Sequence, residues 1–262
     1  FGPYEDAMST KSTNLFHTRV SPLLNLLRLL PQRVVDDVLG ADLPMNSKEG
    51  FVRQVLGWRE FVRHVHEATD GFRDLDQNVL RGEVDLPPVF WGEAPSGLEC
   101  LDRVVEDVWE EAYSHHITRL MILGNLGTLL GVSPRQLTDW FWVAYADAYD
   151  WVVEPNVLAM ATYGVGELMT TKPYVAGSAY IAKMSDYCGS CAFHPKKTCP
   201  ITRLYWDFLA RNAERLDGNM RIAMPLRSLK KRSEEQRATD AEVGAWVRGE
   251  LAAGRKLTPD AG

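Results

Sequence analysis

Residues 46–65 read NSKEGFVRQVLGWREFVRHV, and the apolar side chains in this stretch recur at the three- and four-residue spacing of an amphipathic helix. Asn46 and, three residues later, Glu49 have the spacing of a capping box, in which each side chain bonds to the other residue's backbone N–H. The pattern predicts a helix that begins near Asn46 and buries one face. Alternating apolar and polar residues, which would indicate strands, are scarce, so we expect a helical fold.

Similar signals recur further along the chain. Ser96 with Glu99 predicts a second capping box, and Ser133 with Pro134 predicts an N-cap followed by a proline at the first helical position. Three further stretches have helical periodicity: residues 137–148, 201–216 and 239–251.

The segments between these stretches contain prolines and glycines. We expect irregular loops at residues 68–95 and 162–200, including an extended piece near Val84 that its prolines make a loop. Three glycines lie inside a helical run and are expected to allow close helix packing: Gly124, Gly127 and Gly131. The sequence therefore predicts one mainly α domain over residues 1–262.

Composition and charge exclude several classes of protein. Of the 262 residues, 45% are hydrophobic and 24% are charged, so the chain can bury a core and is not disordered. No apolar run approaches the roughly 20 residues of a membrane span, so we expect no membrane segment. The net charge is −6, yet residues 221–232 carry five basic residues and no acidic one. This strip either binds phosphate or is a solvated helix face.

The cysteines form a pattern that is typical of a metal site. Cys188 and Cys191 form a Cys-x-x-Cys turn, and Cys199 follows with a proline after it. The fourth ligand could be Cys100, the only other cysteine, or His194. Zinc and an iron–sulfur cluster both accept this set, because Cys-Pro at the last ligand occurs in ferredoxins. Spacing leaves these two open, and free cysteines are the third alternative.

Aromatic residues are numerous for a helical chain, with eight tryptophans and nine tyrosines. A group at residues 140–151 could form core, relay electrons or stack on a flat ligand. The chain has no Gly-rich phosphate loop, no Gly-x-Ser-x-Gly elbow and no His-Glu-x-x-His motif. Hydrolytic chemistry with an activated nucleophile is therefore not indicated.

Several segments together resemble the photolyase and cryptochrome family. Residues 51–61, FVRQVLGWREF, are similar to the family's helix beside the flavin and the lesion pocket. Residues 113–121, YSHHITRLM, resemble its helix under the isoalloxazine ring, and Trp140 with residues 147–151, DAYDW, resembles the segment at the flavin's other edge. The cysteine pattern followed by LYWDF at 204–208 is similar to the prokaryotic iron–sulfur branch, the bacterial (6-4) photolyases and cryptochromes.

This resemblance implies a helical domain that binds FAD in about residues 1–175, with an iron–sulfur region and C-terminal helices in about residues 176–262. It implies a [4Fe–4S] cluster on Cys100, Cys188, Cys191 and Cys199. The loop before Cys199 is several residues shorter than is usual in the branch, which would alter the exposure of the cluster. Family members carry an α/β antenna domain before this region, and the chain begins at Phe1. We therefore expect a fragment whose antenna chromophore belongs to a missing N-terminal domain.

The resemblance also implies roles for single residues. His116, with His115 beside it, is the expected lesion-side acid, and only one of two adjacent helical side chains can face the lesion. Arg119 is expected to pair with Asp147 or Asp150 near the flavin. The other expected flavin contacts are Ser12, Thr13, His17, Ser21, Trp58 and Glu154, with Asn156 two residues beyond Glu154.

Substrate and electron-transfer residues follow from the same resemblance. The lesion pocket is expected to contain Trp58, Met160 and Tyr174. Trp140 is the expected inner member of an electron path, continued by Trp142 or Trp91 because Phe141 is not readily redox-active. Contacts to DNA phosphates are expected from Lys172, Lys183, Lys196, Lys197 and residues 221–232.

The predicted function is light-driven repair of (6-4) photoproducts in UV-damaged DNA by a (6-4) photolyase. Its alternatives are a cryptochrome-type photoreceptor of the same architecture and a primase-like iron–sulfur DNA-binding module. The chain has no signal-peptide pattern, so we predict a cytoplasmic protein, and we favour a monomer.

Overall fold

The computed structural model describes residues 2–259, so the two ends of the predicted domain, Phe1 and residues 260–262, lie outside the described residues. The described chain is helical, and its only β-type pairings are two isolated bridges, Met8 with Ser185 and Val84 with Val132. The mainly α prediction is therefore confirmed. Among the described residues, no helix is both long enough and apolar enough to cross a membrane.

Thirteen α-helices occur in the described chain. The first six are α1 (Ser21–Asn25), α2 (Pro31–Gly40), α3 (Met45–Val52), α4 (Arg59–Thr69), α5 (Glu99–Glu111) and α6 (His116–Thr118). The others are α7 (Asn125–Leu130), α8 (Pro134–Ala144), α9 (Asp150–Val153), α10 (Ser178–Met184), α11 (Ile201–Arg211), α12 (Ala223–Lys230) and α13 (Glu234–Ala252).

Shorter helical types connect them. Three π-helical segments continue α-helices: π1 (Arg53–Trp58), π2 (Arg119–Gly124) and π3 (Glu154–Ala161). Four 3₁₀ turns lie at Gly2–Tyr4, Pro88–Trp91, Gly166–Leu168 and Tyr187–Gly189.

The predicted helix starts are only partly correct. Ser133 and Pro134 are the N-cap and first residue of α8, as predicted. The capping box at Asn46 is wrong, because α3 begins at Met45 after the extended Pro44. The box at Ser96 is also wrong.

Leu98 is the N-cap of α5, and the Ser96 hydroxyl donates to Asp102 Oδ1 at 2.6 Å instead. Two predicted ranges change as well. α11 ends at Arg211 rather than near residue 216, and α10 interrupts the loop expected at 162–200.

A main apolar core joins the N-terminal and C-terminal parts of the described chain. Its buried side chains come from α5, π2, α7, α11 and α13, among them Leu101, Ile122, Leu129, Phe208 and Val247. Two smaller clusters lie beside it, one between α1, α2 and π1, and one around Phe72 and π3. Burial of these faces holds π2 and π3 against each other.

Gly124 permits the close approach of π2 and π3. A Cβ atom at Gly124 would lie 2.9 Å from the Cβ of Ala161, closer than two such atoms can approach. Gly127 faces Leu137 in the same way, with Cδ2 at 2.7 Å, so the packing role predicted for both is confirmed. The packing role predicted for Gly131 is wrong, because this residue is the C-cap of α7 and has a left-handed backbone with φ +79°.

We expect Gly124→Val to destabilise the fold by about 1–3 kcal/mol, since the added methyl groups overpack a contact between two segments. Urea unfolding measures this change. Gly249→Ala in α13, where nothing lies within 4 Å of the new Cβ, is the matched control and should be neutral or stabilise by up to about 1 kcal/mol. Equal midpoints for wild type and the valine variant would contradict the close-packing role.

Candidate functional site

The three π-helical segments meet, and each carries a residue that the sequence singled out. π1 ends at Trp58, π2 begins at Arg119, and π3 contains Met160. The Trp58 Nε1 donates to Asn156 Oδ1 at 2.9 Å, which joins π1 to π3. π-Helical turns are rare and are frequent at functional sites. No residue pattern in the sequence predicted them, so this indication comes from the structure alone.

An ion pair between Arg119 and Asp147 forms the polar centre of the site. The guanidinium bonds both carboxylate oxygens, at 2.9 and 3.0 Å, and its Nε donates to Ser114 O at 2.7 Å. Ser21 Oγ donates to the same carboxylate at 2.6 Å, and Asn25 donates to Asp147 O at 2.8 Å. Of the two partners expected for Arg119, the structure pairs it with Asp147. Asp150 is exposed at the start of α9.

Electrostatics favour the charged forms of this pair. Burial would raise the pKa of Asp147, but the charge and hydrogen bonds of Arg119 outweigh it, so the pKa is lowered. The same pairing raises the pKa of Arg119 against the effect of burial. The guanidinium also lies over the rings of Tyr145, at 4.1 Å, and Tyr113, at 5.1 Å. Tyr145 in turn shares a 2.8 Å hydrogen bond with Ser114 Oγ.

The two adjacent histidines occupy different environments. His115 is buried, and its ring stacks on His17 at 4.4 Å and 9°. Burial, with His17 next, lowers its pKa to about 3. Burial by the surrounding protein, with Arg119 next, lowers the pKa of His116 to about 4, although part of this residue is exposed at the surface. Both imidazoles are therefore neutral at pH 7.

The N-terminal segment lies against this centre through His17 and Ser21. His17 Nε2 bonds Glu5 O at 2.8 Å, and burial lowers its pKa. Ser12 is exposed, and its Oγ accepts hydrogen bonds from the backbone N–H groups of Asn14 and Leu15. The next residue, Thr13, is half-buried. The helix that begins at Ser21 has five residues, and its serine side chain bonds Asp147.

Two buried polar atoms in this assembly lack hydrogen-bond partners among the described residues: Asn14 Oδ1 and His115 Nδ1. Unpaired buried polar atoms are uncommon and costly, and a polar ligand would satisfy them. The residues around Arg119 thus fit a polar cofactor such as FAD, with aromatic rings beside them for its flat part.

The resemblance implied that Glu154 contacts the flavin, but in the structure its carboxylate lies beside His66 and Arg135. Its Oε2 is 2.9 Å from His66 Nδ1, and its Oε1 is 3.7 Å from Arg135. The absence of a side chain at Gly71, which has φ +65°, makes room for this carboxylate. Glu154 is thus enclosed by α4 and α8 partners, whereas Asn156, bonded to Trp58, is the polar residue of π3 on the site's side.

The other expected pocket residues differ in exposure. Met160 is buried in the main core, while Tyr174 is 36% exposed. Trp58 is half-buried, and its ring contacts Phe61 at 5.5 Å. Trp58 and Tyr174 therefore keep surface that a ligand can contact, whereas Met160 is covered by the packing of the main core.

An aromatic chain leads from the interior to the surface. Trp140 is buried and in ring contact with Phe141 and Tyr145, at 5.1 and 6.1 Å. Its Nε1 donates to Phe90 O at 2.9 Å, and Trp109 Nε1 donates to the same oxygen at 2.9 Å. Trp109 and Trp91 are exposed, and their rings are 6.2 Å apart. Sequence reasoning named Trp91 but missed Trp109, which lies on the exposed edge of α5.

All four cysteines line one cavity, with Ser178, Tyr187 and Phe193 among the other lining residues. Cys100 is brought there by α5, and no disulfide forms. His194 is exposed and is not among the residues that line the cavity. Its Nδ1 accepts a hydrogen bond from Lys196 N at 3.2 Å. Among the described residues, no group of three or more His, Cys, Asp or Glu side chains is arranged to hold a metal ion.

The cavity is an unfavourable place for thiolates in the protein alone. Burial raises the pKa of Cys100 well above its usual range, and the other three cysteines contribute. Burial also raises the pKa of Cys188, and that of Cys199 to about 11. The thiols of Cys100, Cys188 and Cys199 are therefore protonated near neutral pH, and a positively charged metal group would reverse this preference.

We expect Asp147→Asn to destabilise the protein by about 3 kcal/mol at pH 7, because Arg119 loses the charge that compensates its burial. The folded-state pKa of Asp147 is lowered, so its contribution is present above the unfolded pKa near 4 and is lost as the pH falls through the folded value. Urea unfolding at pH 7 and pH 3 should show the difference from wild type shrink in acid. Asp150→Asn, at an exposed residue, is the control and should change stability by less than about 0.5 kcal/mol.

Comparison with known proteins agrees with the motifs. The chain is 39% identical over 258 residues to the (6-4) photolyase of Agrobacterium fabrum (strain C58 / ATCC 33970), a match that covers 95% of this chain and 50% of that protein. It is 31% identical over 102 residues to the uncharacterized protein R855 of Acanthamoeba polyphaga mimivirus, covering 39% of this chain and 80% of that protein.

A second mimivirus protein, the uncharacterized protein R853, is 28% identical over 116 residues, which cover 42% of this chain and 87% of that protein. No family model matches the chain. The chain spans about half the length of the (6-4) photolyase that it matches. Along almost its whole length, the chain is thus related in sequence to a photolyase, in agreement with its motifs.

Proposed function

We propose that the chain is the FAD-binding catalytic region of a DNA photolyase that repairs (6-4) photoproducts in light. The observation that carries this proposal is the match to a (6-4) photolyase over 95% of the chain, with the exposed His116 three residues before Arg119, which pairs with the buried Asp147. The region comprises the FAD core at about 1–175 and the C-terminal part at about 176–262. A cytoplasmic location and a monomeric state remain predictions.

The bound flavin would supply the electron that a photoexcited, reduced FAD gives to the lesion. The chain's own residues would hold it: Ser12, Thr13, His17, Ser21, Trp58, Arg119, Asp147 and Asp150. For the residue near the flavin N5 we now favour Asn156 over Glu154, because Glu154 is engaged by His66 and Arg135. Stacked and charged groups around Arg119 would orient the cofactor and exclude water from it.

His116 would hold and move the proton at the lesion. A neutral imidazole carries a proton on one ring nitrogen and accepts at the other, so it can donate a hydrogen bond and take a proton. Phosphates of bound DNA would raise its pKa toward neutrality, because nearby negative charge favours the imidazolium. The lesion would have to leave the duplex to reach His116, and Trp58, Met160 and Tyr174 would contact it there.

The aromatic chain would connect the flavin region with the surface. Trp140 would be its inner member, followed by Trp109 and Trp91. Trp142 is 53% exposed and, unlike Trp109, shares no hydrogen-bond acceptor with Trp140 among the described residues, so it is the weaker choice.

The four cysteines would bind a [4Fe–4S] cluster. In such a cluster each cysteine binds a different iron, whereas a zinc ion requires all its sulfurs at about 2.3 Å from one point. All four cysteines line one cavity, as a cluster held by four thiolates would require. The exposed His194, which does not line the cavity, is a poor fourth ligand.

We expect purified protein to contain about four irons per chain. Cys191→Ser should lose iron and lower the thermal stability, because cluster binding contributes folding free energy. A colorimetric iron assay and thermal unfolding measure both effects. His194→Ala is the matched control and should keep its iron, while zinc in place of iron would contradict the cluster.

We expect His116→Ala to lower light-dependent (6-4) repair by about 10²-fold or more while FAD remains bound. Repair of an oligonucleotide with one defined lesion measures the activity, and flavin absorbance measures the bound FAD. His64→Ala, at an exposed histidine of α4, is the control and should repair normally.

The wild-type protein distinguishes the alternatives. Repair of cyclobutane dimers alone would correct the lesion type. Flavin photoreduction without repair of either lesion would favour a photoreceptor, and protein without flavin would favour a primase-like module.

A further inference from the structure

The segment 218–231, which we call the basic turn, combines a rigid base with two exposed methionines. Gly218 opens it in the left-handed region, with φ +83°. Ile222 is buried in the main core, and Leu226 of α12 is buried behind it. Met220 and Met224 point outward and are 88% and 73% exposed. Large apolar side chains this exposed on an anchored turn gain free energy when an apolar partner covers them.

The charged side chains of the basic turn itself are all positive, and the nearest carboxylate in contact with it is that of Glu167, which Asn219 bonds. Four exposed cations lie in the basic turn and form no ion pair among the described residues: Arg221, Arg227, Lys230 and Lys231. The next residue, Arg232, differs because it bonds the buried Asp240 at 2.7 Å. No carboxylate occurs between residues 218 and 233. The surface is therefore suited to a polyanion that also offers an apolar face.

The basic turn is fastened to the chain segment that lies between π3 and Tyr174. Asn219 Nδ2 donates to Glu167 Oε1 at 2.8 Å and lies 2.9 Å from Thr171 O. Asn219 Oδ1 accepts from Arg221 N at 2.9 Å, which fixes the turn itself. The segment bonded by Asn219 lies in the chain between Met160 of π3 and Tyr174, two residues expected to contact the lesion. The exposed methionines are therefore tied to a segment flanked by those two residues.

We propose that Met220 and Met224 form an apolar wedge that enters a base step of duplex DNA next to the extruded lesion, while the four cations contact the flanking phosphates. Nucleic acid meets both requirements, because its phosphates match the cations and its unstacked bases match the methionines. The wedge lowers the cost of extruding the lesion by replacing lost base stacking. This inference rests on the proposed function.

The test compares the flavin-loaded wild type with the double variant Met220→Ser, Met224→Ser. The two ligands are a duplex and a single strand with the same (6-4) lesion, and fluorescence anisotropy measures Kd. The wedge acts only where bases are stacked, so the affinity for the duplex should fall about tenfold and that for the single strand less than twofold. Met45→Ser, at a methionine 77% exposed on α3, is the matched control and should leave the affinities for the duplex and the single strand unchanged.

A second variant, Arg227→Gln with Lys231→Gln, tests the cations separately. It should reduce the slope of log affinity against log salt by about two for the duplex, because two phosphate contacts are lost. An unchanged salt slope, an unchanged duplex affinity of the methionine variant, or an equal loss on both ligands would overturn the wedge. In each of those cases, normal wild-type repair would leave the proposed function standing. A wild type that binds no damaged DNA would reject the proposed function itself.

Discussion

The bidentate ion pair between Arg119 and Asp147 is the interaction on which the rest of the site depends. Through it, α1, the turn before α6, π2 and the segment after α8 meet at one point, because Ser21, Asn25 and Ser114 bond the same two residues. A buried charge is tolerated only when it is paired, so none of these segments can move away alone. The positions of His115 and His116, just before Arg119, follow from that constraint.

Around this pair the fold provides two chemically different surroundings. Burial around His115 and His116 favours the neutral form of both imidazoles, while the aromatic rings near Arg119 supply flat apolar surface. The basic turn, tied to residues 163–171 through Asn219, is exposed and positively charged. A flat cofactor suits the first and a phosphate backbone suits the second, so recognition and chemistry can be separated within one helical unit.

The cysteine cavity lies at another part of the same core. Cys100 is contributed by α5, which also carries Trp109, so one helix joins the cavity to the aromatic chain. The short loop before Cys199 is held by Ser178, which bonds Pro195 O and Thr202 Oγ1, both at 2.6 Å. The cavity is therefore shaped by packed helices as well as by its own loop.

The residues themselves were enough to predict a helical chain, the Ser133–Pro134 helix start and the grouping of three cysteines, because periodicity, proline geometry and short spacing are local properties. The capping boxes predicted at Asn46 and Ser96 were wrong, because Pro44 and Leu98 are the N-cap residues of those two helices instead. Only the folded chain decided which carboxylate pairs with Arg119, that Glu154 is engaged by His66, and where the π-helical turns fall. Those outcomes depend on which distant surfaces are buried together, and no spacing along the chain encodes that.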